Sequence, residues 1–265
     1  MIRVSLLIST YNWPEALDLT FRSLMVQSQL PMEVVIADDG SGPETKKVID
    51  YYRTQLSIPV KHVWHEDIGF RRTIILNQAI SQLSGDYIVQ IDGDIIMHPR
   101  FIEDHLREAR EGFFIKGTRG MLSKSKSAEI LRKKNISVPL FSWGVKPWIN
   151  MIRFKQASHL FYGDPEKKDS MKGCNWAVWK KDFVAVNGYN NTMTEWGYED
   201  SELGARLVNF GIKRKQLKLT AVCYHIYHPF GYRARMDINR LIYEEAVKNK
   251  EVVACLDGYE QVDLP

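Results

Sequence analysis

The sequence predicts an α/β fold, a mostly parallel sheet flanked by helices. Three observations predict it. Strand and helix patterns alternate four times within the first 112 residues, the signature of a doubly wound sheet. The first two strand patterns are apolar, β-branched runs, as expected for strands buried on both faces. Two of the strand patterns, the second and the fourth, end in acidic clusters, and ligands of such sheets bind outside the carboxyl ends of the strands. The 265 residues are 45% hydrophobic and 26% charged, ordinary values for a globular chain with a sizeable core. Disorder, collagen and coiled coil are thereby excluded as descriptions of the whole chain.

The elements follow in order. Arg3–Ile8 reads as a buried strand. Pro14 suits the first turn of a helix, and Leu17, Phe21 and Leu24 follow at helical spacing. Glu33–Ala37 is a second strand, ending in Asp38-Asp39-Gly40-Ser41, and Gly42-Pro43 opens a helix carrying Val48, Ile49, Tyr52 and Leu56. Val60–Trp64 is a third strand. Thr73–Leu83 has apolar positions at 75, 76, 79, 80 and 83, hence a helix. Tyr87–Ile91 is a fourth strand, ending in Asp92-Gly93-Asp94, and Pro99–Glu111 is a helix. Beyond residue 112 the alternation breaks. Order resumes near Met171–Lys180; a helix runs from Tyr198–Glu199 to Phe210, a strand is expected over Leu217–Tyr224, and a terminal helix over Arg240–Lys250. These patterns divide the chain into residues 1–115, 116–170 and 171–265.

No apolar run approaches the 18 residues of a membrane-spanning helix. The apolar stretch Val4–Ile8 is too short for a secretory signal. Cys174, Cys223 and Cys255 are odd in number and form no CxxC, so reduced thiols in a cytoplasmic chain are expected rather than a disulfide frame or zinc site. The net charge of +4 makes no case for a nucleic-acid partner. Its distribution is uneven. Residues 116–155 hold ten basic residues against the single acid Glu129, a local +9, together with Phe141, Trp143, Trp148 and Phe154. Such a stretch is either a solvated loop or a contact for an anionic membrane surface or acceptor.

Asp92-Gly93-Asp94 places two carboxylates one residue apart at a strand end, where alternation would point them the same way. Paired carboxylates beside open space attract a hard divalent cation, which can bridge pyrophosphate oxygens; otherwise the triplet is a solvated turn. Asp38 and Asp39 are either turn residues or acceptors for a base edge or ribose hydroxyl. Arg71 and Arg72, ahead of the third helix, suit a diphosphate or a backbone carbonyl, or simply solvent. Trp196-Gly197-Tyr198-Glu199-Asp200 sits at a helix start, where acids cap free N–H groups. An indole beside two carboxylates also describes a sugar site. His225 and His228, three apart at a strand end, are either structural or metal ligands, and mixed oxygen and imidazole ligation suits Mn²⁺ better than Zn²⁺ or Ca²⁺.

Taken together, Val4–Asn12 (VSLLISTYN), Val34–Ser41 (VVIADDGS), Gly69–Ile80 (GFRRTIILNQAI) and Tyr87–Asp94 (YIVQIDGD) resemble the family 2 glycosyltransferases of the nucleotide-sugar-binding GT-A fold. Gly173–Leu207 resembles the C-terminal portion of β-1,4-galactosyltransferases and chondroitin-polymerase-like enzymes. The resemblance covers about residues 3–112 and 171–230. It implies a donor half over 1–115, a basic aromatic insert over 116–170 for membrane or acceptor contact, and an acceptor and catalytic-base half over 171–265. It further implies that Asp38 and Asp39 hold uracil and ribose of a UDP-sugar, with Thr10 and Tyr11 near the base and Arg71 near the nucleotide or phosphates. Asp92 would contact ribose or donor sugar. Asp94 would bind Mn²⁺ (or Mg²⁺) with His225, His228 being the competing choice. Asp200 would be the catalytic base, with Glu199 and Trp196 shaping the pocket. The implied reaction is an inverting transfer to a hydroxyl of a glycan or lipid-linked glycan, in bacterial lipopolysaccharide or capsule synthesis. It would take place in the cytoplasm or on the inner face of the membrane. Two departures stand out: Tyr198 replaces a glycine of the galactosyltransferase motif, and Ser201 replaces an aspartate.

Other classes fit less well. A sugar-phosphate nucleotidyltransferase needs a glycine-rich, arginine-bearing loop after the first strand, and a dinucleotide-binding dehydrogenase needs GxGxxG; here that stretch is Ser9-Thr10-Tyr11-Asn12-Trp13-Pro14. A non-catalytic carbohydrate-binding module needs neither the acidic strand ends nor a histidine.

Overall fold

The computed structural model describes residues 2–168, 171–194, 196–229 and 236–262. In chain order the elements are β1 (Val4–Thr10), α1 (Pro14–Met25), β2 (Glu33–Asp38), α2 (Pro43–Gln55), β3 (Val60–Trp64), α3 (Arg72–Ser81), β4 (Tyr87–Asp92), β5 (Ile95–Met97) and α4 (Phe101–Glu108). They continue as β6 (Phe113–Lys116), β7 (Gly120–Leu122), α5 (Lys124–Lys133), β8 (Val145–Lys146), β9 (Trp176–Trp179), α6 (Lys180–Ala185), α7 (Glu199–Asn209), β10 (Lys213–Gln216), β11 (Cys223–His225) and α8 (Met236–Lys248).

A seven-stranded sheet in the order β10-β6-β9-β4-β1-β2-β3 forms the centre. β1, β2, β3 and β4 run parallel, and β9 enters antiparallel between β4 and β6. The sheet therefore takes strands from both the first and the last of the three sequence segments. Alternation along the strands divides the core. Leu6, Ile8, Val34 and Ile36 pack with α1, α2 and α4 side chains such as Phe21, Tyr52 and Phe101. Leu7, Val35 and Ile88 pack on the opposite face with Ile75, Leu76, Ile80, Phe183 and Leu203. With helices on both faces, the expected α/β class is observed, and the continuous apolar runs are explained by two-sided burial.

Strand register aligns the functional edge. Thr10 lies opposite Asp38, and Ser9 opposite Asp92, so β1, β2 and β4 end together. The chain winds outward from β1 through β2 to β3 and returns to the other side of β1 as β4. The crevice at this reversal is where open α/β sheets bind ligands. Gly93 makes the exit from β4 possible. Its N–H donates to Ser9 O at 2.7 Å, and a Cβ there would sit 3.0 Å from that carbonyl and 3.1 Å from Thr10 Oγ1.

A second sheet, β5-β11-β7-β8, leans on this edge. β11 pairs antiparallel with β5, placing His225 opposite Ile95, and Ile226 N–H donates to Asp94 O at 3.0 Å. This register brings Asp94 and His225, 131 positions apart in the sequence, together. The structure corrects two expectations. Of the strand expected over Leu217–Tyr224 only Cys223 and Tyr224 are strand, in β11; β10 ends before it at Gln216, and Leu219 and Ala221 hold left-handed backbone (φ 61° and 46°) that interrupts an extended strand. β4 ends at Asp92, so a turn rather than strand alternation sets the direction of Asp94. Among the described residues no helix is long and apolar enough to cross a membrane.

Candidate active site

At the reversal point lies a cleft of about 570 Å³. Its walls come from the end of β1 (Ser9, Thr10 and the following Tyr11–Trp13), Asp39, the β4–β5 turn (Asp92, Gly93, Asp94), the start of α3, the start of α7 (Trp196, Glu199, Asp200) and Tyr227–Pro229.

Arg72, the first residue of α3, is the centre of charge. Its guanidinium donates to Asp92 Oδ1 at 2.7 Å and to Asp200 Oδ1 at 3.3 Å, with Glu199 Oε1 at 3.4 Å. Burial alone would lower its pKa, but Asp200, Asp92 and Glu199 outweigh that and hold it well above the ordinary value. Three carboxylates around one cation leave a net negative site. The cost falls unequally. Burial pushes Asp92 up, yet Arg72 and His225 prevail and keep it below the usual carboxylate range. Glu199, buried and next to Asp200, is pushed up to about 7 despite Arg72. Asp200 is held by further donors: Gly173 N–H to Oδ2 at 2.7 Å and Tyr189 O–H to Oδ1 at 3.2 Å. A Cβ on Gly173 would stand 2.6 Å from Asp200 Oδ1 and 2.7 Å from an Arg72 nitrogen, so only glycine lets the backbone reach this carboxylate.

The Glu199 shift has a sign that can be tested by stability. The folded state holds the proton up to about pH 7, against 4.5 for the ordinary group. Stability is therefore lost as pH rises between these values and stays lost above them. Glu199→Gln is expected to raise the melting temperature by roughly 5 °C near pH 8, with almost no change near pH 4. Calorimetry at both values checks this, and equal shifts at the two would remove the buried-charge explanation.

The two departures from the galactosyltransferase motif have structural uses. Tyr198 adopts the left-handed backbone (φ 69°) that glycine adopts freely, and its ring stacks on Tyr243 of α8 at 5.4 Å. Ser201 Oγ accepts from Met171 N–H at 3.1 Å, tethering the segment that carries Gly173.

Across the cleft, Asp94, His225 and His228 form a cluster in which one ligand atom from each lies within 4.8 Å of the others. Both histidine Nε2 atoms approach Asp94 Oδ2, at 3.6 and 3.5 Å. Each ring donates its Nδ1–H to a backbone carbonyl, Ile226 O and Pro229 O, at 2.8 Å. In the neutral rings Nε2 is then a lone pair facing a carboxylate oxygen, an arrangement that fits a cation between them. Asp94 Oδ1 is buried without a hydrogen-bond partner among the described residues. Burial, partly offset by His225, raises the Asp94 carboxyl above its ordinary value. Two imidazoles and a carboxylate form a ligand set that a divalent transition-metal ion could use.

The remaining expected residues divide into those at the cleft and those behind it. Thr10, Tyr11, Asp39 and Trp196 line the cleft. Asp38 is buried behind it, accepting from Ser41 N–H and His62 Nε2, both at 2.8 Å. Arg71 is not among the lining residues: its guanidinium donates to Glu66 O at 2.6 Å, and its backbone N–H donates to Asp39 Oδ2 at 3.1 Å. The arginine facing the carboxylates is its neighbour Arg72. His65, which donates to Asp39 Oδ1 at 2.7 Å, and Tyr189 carried no sequence signal. Their partners lie 26 and 11 residues away, in other elements.

Comparison with known proteins agrees with this geometry. Residues 5–171 match the profile of glycosyl transferase family 2, and residues 157–229 one described as the N-terminal domain of galactosyltransferase. The validoxylamine A glucosyltransferase of Streptomyces hygroscopicus subsp. limoneus is 27% identical over 79% of this chain and 48% of its own length. The hyaluronan synthase of Pasteurella multocida is 26% identical over 79% and 23% of the two chains, and the Escherichia coli chondroitin synthase 23% over 84% and 34%. The chain thus spans half or less of these relatives. Among solved structures, the Pyrobaculum calidifontis mannosyltransferase PcManGT in complex with GDP-Man and Mn²⁺ superposes with TM-score 0.63 at 15% identity, over 95% of this chain and 68% of that one. Staphylococcus aureus TarS 1–349 in complex with UDP gives 0.63 at 15% identity, over 98% and 68%. The chain belongs to glycosyl transferase family 2, a family of glycosyltransferase enzymes, and has the GT-A fold.

Proposed function

We propose that the protein is an inverting, metal-dependent glycosyltransferase that moves a sugar from a UDP-sugar to a hydroxyl of a glycan or lipid-linked glycan acceptor. The observation that carries this reading is that Asp200, Asp94 and His228 line one cleft at the reversal point of the sheet, with His225 reaching Asp94 from behind the cleft wall. Asp39, fixed by His65 and Arg71 N–H, presents a carboxylate edge to the nucleobase or ribose, with Thr10 and Tyr11 beside it. Asp94 with His225, and His228 next to it, would hold a divalent cation, which when bound supplies positive charge against the departing diphosphate. Asp200, oriented by Arg72, Tyr189 and Gly173, accepts the proton of the attacking hydroxyl. That hydroxyl approaches the anomeric carbon opposite the leaving group, so configuration inverts. Trp196 and Glu199 shape the sugar pocket. The TarS–UDP and PcManGT–GDP-Man complexes support a nucleoside-diphosphate donor. The hyaluronan and chondroitin synthases among the relatives support a polysaccharide product, as in lipopolysaccharide or capsule synthesis.

The test is nucleoside-diphosphate release from a panel of UDP-sugars and GDP-mannose, with and without Mn²⁺. Release from at least one UDP-sugar, strongly increased by Mn²⁺, is expected. Sugar binding without release from any donor would leave a binding module instead.

A further inference from the structure

The basic aromatic segment 116–155 takes no part in the cleft described above, yet it builds a distinct surface. Its tip, on either side of β8, displays four large apolar side chains within nine residues: Leu140 (53% exposed), Phe141 (66%), Trp143 (96%) and Trp148 (56%). Solvated loops do not ordinarily gather such residues, and a contiguous exposed apolar patch marks an interaction site. The tip is shaped rather than loose. Phe141 is held at φ 63°, an unfavourable backbone for a bulky side chain, and its ring lies 6.0 Å from that of Trp148. Ser123 N–H donates to Gly144 O at 2.6 Å, which pins the start of α5 against the tip.

The same segment carries charge, from the start of α5 to beyond β8. Lys124, Arg132, Lys146 and Lys155 are exposed and form no ion pair among the described residues. Lys126 and Lys133, by contrast, share Glu129. Exposed tryptophan and phenylalanine beside unpaired lysines is the chemistry of a bilayer interface: the rings enter the headgroup boundary while the cations meet anionic lipid. An acidic protein partner would satisfy the cations alone, and a purely apolar partner the rings alone. The placement is also apt. β8 is two strands from β11 in the second sheet, about 10 Å at ordinary strand spacing, and β11 carries His225.

We propose that this lobe docks the protein onto an anionic lipid bilayer through Leu140, Phe141, Trp143 and Trp148, with Lys124 and Lys146 against the headgroups. The docking stands on this surface alone; its use in presenting a lipid-linked acceptor to the cleft rests on the proposed function. The experiment is co-sedimentation of the full chain, without donor, with phosphatidylcholine vesicles that contain or lack phosphatidylglycerol. Binding to the anionic vesicles only, weakened by high salt, is expected. Phe141→Ser with Trp143→Ser is expected to lower the partition at least tenfold, since two of the rings are lost. Lys124→Glu with Lys146→Glu is expected to lower it at least tenfold too, each cation near an anionic surface being worth about a fivefold change. The replaced side chains are exposed, so unchanged melting curves will show that the variants fold. No sedimentation with anionic vesicles, or equal sedimentation by the variants, overturns the proposal. So does a concentration-dependent dimer that Trp143→Ser dissolves while vesicle partition is unchanged, for then the surface joins two copies of this chain. Because no donor is present, a failure here is separate from any failure of the transferase reading.

Discussion

Asp200→Asn is expected to retain donor affinity within about threefold while turnover falls by about 10²–10⁴, the usual contribution of a general base. The substitution is nearly isosteric, and the amide oxygen can still accept from Gly173 N–H, which now meets Oδ2 at 2.7 Å. The start of α7 therefore keeps its place, and the lost property is the capacity to take a proton. Donor affinity and turnover are separable by titrating UDP calorimetrically and measuring steady-state transfer on the same preparation. The neighbouring carboxylate is the necessary control. Glu199, pushed up to about 7, has the proton affinity suited to a base working near neutrality, and it stands at the same wall. It is nevertheless buried, and its Oε2 already accepts from Gly197 N–H at 2.8 Å, whereas Asp200 has the larger side-chain exposure of the two, 16% against 6%. Glu199→Gln is accordingly expected to cost less than about tenfold in turnover, well short of a lost base. Unchanged turnover in Asp200→Asn, with collapse in Glu199→Gln, would transfer the role to Glu199.

The legible parts of this chain are those with local causes. β1, β2 and β4 are readable because burial on both faces demands largely apolar runs, and they carry no exposed position; β3 (VKHVW), at the sheet edge, is readable from its β-branched and aromatic residues instead. The helices α1 and α2 announced themselves through a proline at the first turn. Acidic residues at the ends of two such strands then located the cleft. What could not be read depends on pairing between distant residues. β5, β7 and β8 are two or three residues long, too short for periodicity, and the register of β11 on β5 decides that His225 reaches Asp94. WAVW in β9 gave no sign that it inserts antiparallel between β4 and β6. The arginine pair shows how fine the margin is. Arg71 caps α3 from outside while Arg72 opens it, and this one-residue offset sends one guanidinium to a backbone carbonyl and the other into the carboxylate cluster. His62 lies in the middle of β3 and His65 just past its end, and β3 runs parallel to β2. Their bonds to Asp38 and Asp39 follow from strand order, which no local pattern encodes.

Asp94→Ala is expected to remove the dependence of UDP affinity on Mn²⁺. Loss of a group that merely supports a metal ligand typically costs about 10–100-fold in metal affinity, so removing the one carboxylate of the cluster is expected to cost more than about 100-fold. The histidines are expected to contribute unequally. The His225 side chain is 8% exposed and that of His228 42%, and His225 belongs to β11, whose register on β5 fixes its ring. The ring of His228 is placed by the segment after the strand, with Trp13 edge-on at 6.1 Å. His225→Ala should therefore approach the Asp94→Ala loss, and His228→Ala should fall between it and the native protein. General misfolding cannot mimic this order. Burial raises the Asp94 carboxyl, and its Oδ1 lacks a partner among the described residues, so in metal-free buffer Asp94→Ala should melt no lower than the native chain. Added Mn²⁺ should then stabilise the native chain, by about 3 kcal/mol at a hundred times its dissociation constant, and leave the variant unmoved. Melting curves with and without Mn²⁺, together with electron paramagnetic resonance of free Mn²⁺, read this out without any turnover. Equal Mn²⁺ uptake by native protein and Asp94→Ala would mean that the cation sits elsewhere, and that the two imidazoles flank Asp94 only to hold the second sheet against the first.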